Sequence, residues 1–352
     1  MNPGPANEPH RGAQTNPPNR FEALHLEPDP DEGLEEGGPV RTQFFRDATR
    51  SIITYNDSPD VGFDASINAY RGCEHGCAYC YARPTHEFLG FSAGLDFESK
   101  ILIKTDAAKL LREELSNPRW KPQVLAMSGV TDPYQPVERR LKLTRGCLEV
   151  LVEFRNPVAI VTKNSLVTRD VDLLWDLSRI QAAAVFVSLT TLDRELRSRL
   201  EPRTSPPQAR LDAIRTLAKA GVNVGVMIAP VIPGINDHEI PKLLEAAAEA
   251  GATSAGYVVL RLPLSVRTVF ESWLDTHFPD RKEKVLNTLR GMRGGHLNVA
   301  RFGERMRGRG IHAEQIQQFF DIGCRRFHLN ERELRLRTSE FKRPGPQQLD
   351  LL

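Results

Sequence analysis

Three of the five cysteines in this chain lie within eight positions of one another: Cys73, Cys77 and Cys80, in the stretch RGCEHGCAYCYARP that spans residues 71–84. Thiolates are soft ligands, and spacings of four and three in a glycine-containing loop let each sulfur bind a different iron of one compact cluster. A [4Fe–4S] cluster has one more iron than this loop has cysteines, so one iron stays open to bind and activate another molecule. Structural zinc is the competing chemistry. It prefers four tetrahedral ligands, usually as two separated pairs, and the chain has no second C-x2-C, although His75 or His86 could supply a fourth ligand. A casual core origin fits poorly, because three Cys with Gly72, Gly76 and His75 do not read as a packed strand or helix. The other two cysteines do read as core: Cys147 pairs with Leu151 at helical spacing, and Cys324 lies four residues beyond Phe320.

A loop of this kind needs rigid elements to aim it, and the sequence supplies a repeating set. Apolar runs at Val124–Met127, Val158–Val161, Val185–Leu189, Val222–Ile228 and Ala255–Leu260 recur at roughly the length of a βα unit, about thirty residues. An earlier strand at Ser66–Tyr70 feeds the cysteines, and a helix near Asp106–Leu115 follows them. Between the later strands, helical spacing appears at Val171, Leu174 and Trp175, at Leu211, Ile214 and Leu217, and at Ile240, Leu243, Leu244 and Ala247. Gly221 and Gly251 follow the last two of these as stop signals, and Asn236 to Glu239 (NDHE) resembles an N-cap box. Six βα units close either as an open doubly wound sheet or as a barrel. No G-x-G-x-x-G or G-x4-G-K-[ST] follows any strand, so the expectation is an α/β fold with a partial (β/α)6 TIM-type barrel. Working residues then belong at the strand ends, which is where the cysteines fall.

The C-x3-C-x2-C motif, with Tyr79 just before the last cysteine and a strand in front, resembles the radical S-adenosylmethionine superfamily. The resemblance implies a [4Fe–4S] cluster on Cys73, Cys77 and Cys80, and S-adenosylmethionine held at the open iron and cleaved reductively. It extends over roughly residues 50 to 262. MSGVTDPYQPVE (127–138), VTKN (161–164), VSLTTLD (187–193) and APVIPGIND (229–237) are similar to the spore photoproduct lyase-related branch. By that similarity Tyr79 lies near the cofactor's adenine, Ser128, Thr131 and Asp132 near its amine, Lys163 near its carboxylate, and Ser188 and Thr190 near its ribose. Arg203 and Arg261 are further candidates. Each polar residue also has a local reading as a cap or turn. The branch implies a hydrogen-donating cysteine in the loop after the second strand, and here that loop, SGVTDPYQP, has none. A relative with a different substrate is therefore expected.

Charge is distributed unevenly. Residues 1–40 carry two Arg against eight Asp or Glu and are rich in Pro and Gly, which predicts a disordered acidic leader. Residues 281–312 carry nine Lys or Arg against two Glu, a candidate nucleic-acid contact or a solvated face. The expected organisation is a leader at 1–40, a core at 41–263, a mostly helical basic extension at 264–343 and a flexible tail at 344–352. In that tail Gln348, Leu349, Leu351 and Leu352 resemble a peptide that binds the DNA sliding clamp. The start lacks an apolar signal core and no run reaches ~20 apolar residues, so a cytoplasmic protein without disulfides or membrane spans is expected. Three functions remain open: a radical enzyme on nucleic acid, a radical enzyme on a small molecule or peptide, and a non-enzymatic metal-cluster protein. Either enzyme also needs an electron donor.

Overall fold

The computed structural model describes residues 11–21 and 40–344. Its strands are β1 (Gln43–Arg46), β2 (Ile53–Tyr55), β3 (Ala65–Ile67), β4 (Tyr70–Arg71), β5 (Lys100–Ile103), β6 (Leu125–Met127), β7 (Val158–Thr162), β8 (Ala183–Ser188), β9 (Asn223–Val231) and β10 (Ser254–Val259). In the larger sheet β3, β6, β7, β8, β9 and β10 lie side by side in chain order and pair in parallel, with β2 antiparallel on the outer edge of β3. This is the expected partial barrel. Each crossover is helical, as parallel pairing requires. Leu211, Ile214 and Leu217 on Pro207–Lys219, and Ile240, Leu243, Leu244 and Ala247 on Ile240–Glu249, are buried against the sheet.

Three local readings change. The segment Ser66–Tyr70 is not one strand: β3 ends at Ile67, and Tyr70–Arg71 turns away to pair with β5 in a separate sheet of order β1-β5-β4. That break lets the chain leave the barrel and enter the cysteine loop. NDHE is not a capping box either. Asn236 Oδ1 accepts from Ile232 N at 2.6 Å and its amide donates to Thr190 O and Pro230 O, while Glu239 accepts from Thr191 Oγ1 and Leu192 N. Asn236 thus ties the end of β9 to the loop after β8, and Glu239 holds that same loop, instead of the two starting the helix. On Val171–Ser178 the inward positions are Leu174 and Leu177, and Trp175 is exposed.

The C-terminal extension is helical over Val266–His277, Pro279–Gly291 and Ile311–Arg326. It is docked on the barrel: Trp273 Nε1 donates to Arg199 O at 2.8 Å, and Gly323 lies where a Cβ would come within 2.5 Å of Leu244. Within the leader, residues 11–21 are described and pack against the cysteine loop; most of the rest of 1–40 and the 348–352 motif lie outside the described residues. Among the described residues no helix is long and apolar enough to cross a membrane.

Candidate active site

The cysteine loop is fastened from every side. Cys73 N donates to Phe97 O at 2.9 Å and Ala78 N to Leu200 O at 3.1 Å. Thr131 Oγ1 and Gln135 Nε2 both donate to Gly72 O, at 2.8 and 3.2 Å. The fully buried Arg83 donates to Cys77 O through Nε and Nη2, at 3.1 and 2.8 Å, and is paired with buried Glu98 at 2.5 Å. Glu98 in turn accepts from Gly12 N at 3.1 Å and Ala13 N at 2.7 Å, so the leader is bonded to the same scaffold. Contact there is close: a Cβ on Gly12 would fall 1.6 Å from Gly76 O, and Gly76 itself has a φ of 65°.

A second charged layer supports the strand ends. Buried Glu201 accepts from the hydroxyl of Tyr79, from Thr190 Oγ1 at 2.6 Å and from Arg210. Arg210 also donates to Ser188 O at 2.9 Å and Ser205 O at 2.8 Å. Burial pushes the Glu201 carboxyl up, but Arg210 and Lys163 outweigh it and hold it at about 2. Asp132 is equally engaged. It accepts from Tyr134 N at 2.9 Å, Thr162 Oγ1 at 2.7 Å and Lys163 N at 2.8 Å, and faces His75 Nδ1 at 3.4 Å. Against the opposing effect of burial, His75 and these donors keep its pKa at about 2, and Asp132 with Cys73 raises His75 to about 9.

In front of these layers a cavity of ≈ 830 Å³ opens at the C-terminal ends of the strands. Ser128 after β6, Lys163 after β7, Ser188 on β8, Ala229 on β9 and Arg261 after β10 all line it, with Tyr79 and Tyr81 on either side of Cys80. Lys163 Nζ donates to Ser188 Oγ at 2.9 Å and lies 5.7 Å from the centre of the Tyr79 ring. Ser128 has a φ of 142°, a conformation that residues with a Cβ rarely adopt. The charged side chains of the lining are Arg71, Lys104, Lys163, Arg261 and Arg305; no carboxylate is among them.

Of the residues singled out in the sequence, Tyr79, Ser128, Lys163, Ser188 and Arg261 meet in this cavity. Thr131, Asp132 and Thr190 sit behind its wall with their polar atoms used internally. Arg203 is also outside it, paired with Glu74 at 3.1 Å and donating from its backbone to His75 O. Sequence reading missed Arg83, Glu98, Glu201, Arg210 and Tyr81, whose hydroxyl donates to Gly129 O at 2.9 Å. The one available signal was adjacency: Glu201 opens EPRT, the stretch that drew attention to Arg203.

The donor set fits an iron–sulfur cluster better than zinc. Cys73 and Cys77 are buried and Cys80 half-buried, all three unbridged. Burial pushes the Cys77 thiol well up and Cys80 to about 11, so their ionisation calls for a metal centre. Among the described residues no three Cys, His, Asp or Glu groups converge on one metal-sized point, as zinc requires. Of the two candidate histidines, His75 is engaged by Asp132 and Asn164, whereas His86 uses only Nε2, on Lys100 O at 2.9 Å, and its buried Nδ1 has no partner.

A parallel part-barrel with a C-x3-C-x2-C loop at its strand ends defines a class, and the comparisons agree. The family model of the radical SAM superfamily matches residues 67–247. This chain belongs to that superfamily. A protein of Mycobacterium tuberculosis strain H37Rv is 40% identical over 220 residues, which cover 62% of this chain and 65% of that relative, so the match spans just under two thirds of the relative's length. A protein of Methanocaldococcus jannaschii is 29% identical over 221 residues, 63% of this chain and 79% of its own. The N-alpha-GlyT isomerase of Pseudomonas phage M6, itself called a radical SAM protein, is 29% identical over 181 residues, 51% of this chain and 35% of that one. Spore photoproduct lyase complexed with dinucleoside spore photoproduct shares the fold, with a TM-score of 0.58 at 17% identity over 81% of this chain and 79% of that one.

Proposed function

We propose that Cys73, Cys77 and Cys80 hold a [4Fe–4S] cluster, that S-adenosylmethionine binds in the adjoining cavity, and that the substrate is a nucleic acid. When bound, the two cofactors supply one-electron reductive cleavage that ends in hydrogen abstraction from a substrate. The chain's part is to bind, orient and exclude water. Lys163 offers an ammonium to the cofactor's carboxylate, Ser128 and Ser188 offer hydroxyls to its amine and ribose, and Tyr79 offers a ring face to adenine. Asp132, Thr131 and Thr190 act as positioning residues: Asp132 holds the backbone of Lys163, Thr131 the cysteine loop, and Thr190 the Glu201 carboxylate that receives Tyr79. Val130, Val161, Met227, Val258 and Leu260 give the cavity apolar walls.

The observation that carries the nucleic-acid reading is the charge of the cavity lining, which is cationic without a single carboxylate. The fold it shares with a protein solved with a dinucleoside supports the same reading. The basic run 281–312 contributes less than its composition suggests. Lys282, Arg290, Arg301, Arg305 and Arg309 have carboxylate partners, and Arg293 is buried on backbone carbonyls. A small molecule is the second reading, favoured by a cavity volume in the range that encloses a drug-sized ligand. Anaerobic reconstitution with S-adenosylmethionine, a reductant and deuterated oligonucleotides tests the proposal. The expected result is 5′-deoxyadenosine carrying deuterium; unlabelled product with every nucleic acid tried favours the small molecule, and no 5′-deoxyadenosine at all ends the enzyme reading. We also propose that Gln348, Leu349, Leu351 and Leu352 contact the sliding clamp, which equal recovery of the clamp by full-length and tail-less protein would refute.

A further inference from the structure

The larger sheet is open between its edge strands, β10 and β2, and residues 301–309 bridge from β10 to the connection that follows β2. Val259 N, in β10, donates to Met306 O at 2.8 Å. On the far side Gly303 N donates to Asp60 Oδ1 at 2.7 Å, and Arg305 reaches both Asp60 and Ser58 in the connection from β2 to β3. Arg261 emerges from β10 just inside this bridge. Its guanidinium carbon is 6.0 Å from the centre of the Tyr81 ring, and Nη1 is 3.7 Å from Met306 Sδ.

Arg261, half-buried, differs from Arg83 and Arg210, the enclosed arginines that fasten the cysteine scaffold. Arg83 and Arg210 each have a carboxylate and backbone carbonyls. Arg261 has no carboxylate within ion-pair distance among the described residues, and its buried Nε has no hydrogen-bond partner. Burial and the nearby Arg305 disfavour its charge, and Asp60, beyond ion-pair distance and paired with Arg305, offsets them only in part. An enclosed cation without a counter-ion is costly, and the cost is removed when an anion arrives. A guanidinium fork matches phosphate or carboxylate in two-point contact. The cofactor's carboxylate already has Lys163 beside Ser188, at the ends of β7 and β8, whereas Arg261 follows β10. Tyr55, Phe63 and Tyr81 line the same cavity and provide ring faces on which bases stack.

We propose that Arg261 is the seat for a phosphodiester of a single-stranded nucleic-acid substrate, with Arg305 as a second arm that Asp60 occupies until the phosphate displaces it. This inference rests on the nucleic-acid reading above. The test is fluorescence anisotropy of a fluorescein-labelled hexathymidylate with the full, anaerobically reconstituted chain. Arg261→Gln is expected to weaken binding about tenfold or more and to lower the salt slope by about one. Arg325→Gln, the same charge change on an exposed helix, is expected to stay within about twofold. Asp60→Asn is expected to tighten binding, because it removes the carboxylate that competes for Arg305; a merely structural bridge would give no tightening. The affinity for S-adenosylmethionine and the iron content are expected to be unchanged in Arg261→Gln. The proposal is overturned if the wild-type protein ignores the oligonucleotide, if Arg261→Gln binds it normally, if that variant loses the cofactor instead, or if inorganic phosphate at matched phosphate concentration competes fully. Formation of 5′-deoxyadenosine by the wild type is scored separately, so failure of the radical chemistry and failure of the phosphate seat are distinguishable.

Discussion

The two sides of the cysteine loop treat charge in opposite ways. Behind it, Arg83 with Glu98, Arg210 with Glu201, Arg203 with Glu74 and His75 with Asp132 pair each charge in or near the buried scaffold with an opposite one. In front, Arg71 and Arg305 are paired with Asp47 and Asp60, but Lys104, Lys163 and Arg261 enter the cavity with no carboxylate at ion-pair distance among the described residues. The same residue types therefore serve two purposes. Paired and enclosed, they fix the loop and the strand ends; unpaired and facing a cavity, they leave electrostatic work for a ligand to complete. Changes behind the loop should register in stability and iron retention, and changes in front should register in ligand affinity.

The sharpest way to break this contrast is Arg210→Met, which strands the Glu201 carboxylate in an apolar interior. Loss of one partner of a buried pair costs about 3–5 kcal/mol, so chemical denaturation should show a stability loss of that order together with poor iron occupancy. A loss below about 1 kcal/mol would mean that the rear layer is not the support described here. Lys163→Met is the counterpart in front. Its expected effect is about tenfold weaker binding of S-adenosylmethionine by calorimetry, with a stability loss clearly smaller than that of Arg210→Met, because Lys163 supplies only the lesser share of the positive charge facing Glu201. Gly12→Val addresses the leader. The new side chain collides with Gly76 O, so residues 11–21 should detach, become cleavable by protease and leave the reconstituted centre bleaching faster in air.

The smallest expected effect is one of pH. Burial and then Arg71 lower the Lys104 ammonium below its ordinary 10.5. A cation disfavoured in the folded state binds its proton more readily after unfolding, so stability should rise as pH climbs from the lowered value toward 10.5. Relative to wild type, Lys104→Met should be the more stable form below that window, and the difference should shrink within it. A difference that grows with rising pH contradicts the assignment.

The fold was largely legible in the sequence because its parallel strands have no exposed face and read as apolar runs, as Val158–Val161 and Val222–Ile228 do. The short flanking strands were not. The four residues of β1, Gln43–Arg46, are all exposed and β4 has only two residues, so neither leaves a periodic signal. The site was legible where local spacing carries the chemistry, as in the cysteine motif. It was illegible where chemistry depends on closure. Tyr79 and Glu201 meet across 122 residues, and Glu98 meets the leader across 86. Asp132 shows the converse: its type and place at a strand end suggested a ligand contact, but four neighbours engage its carboxylate.

The central claim is that three sulfurs in one fastened loop carry a cluster with an open iron. It is tested most directly by iron and acid-labile sulfide analysis of chain purified without oxygen, beside a Cys80→Ala variant. The expected result is about four iron and four sulfide per wild-type chain and a marked loss in the variant. One zinc per chain, with neither iron nor sulfide, would contradict the account.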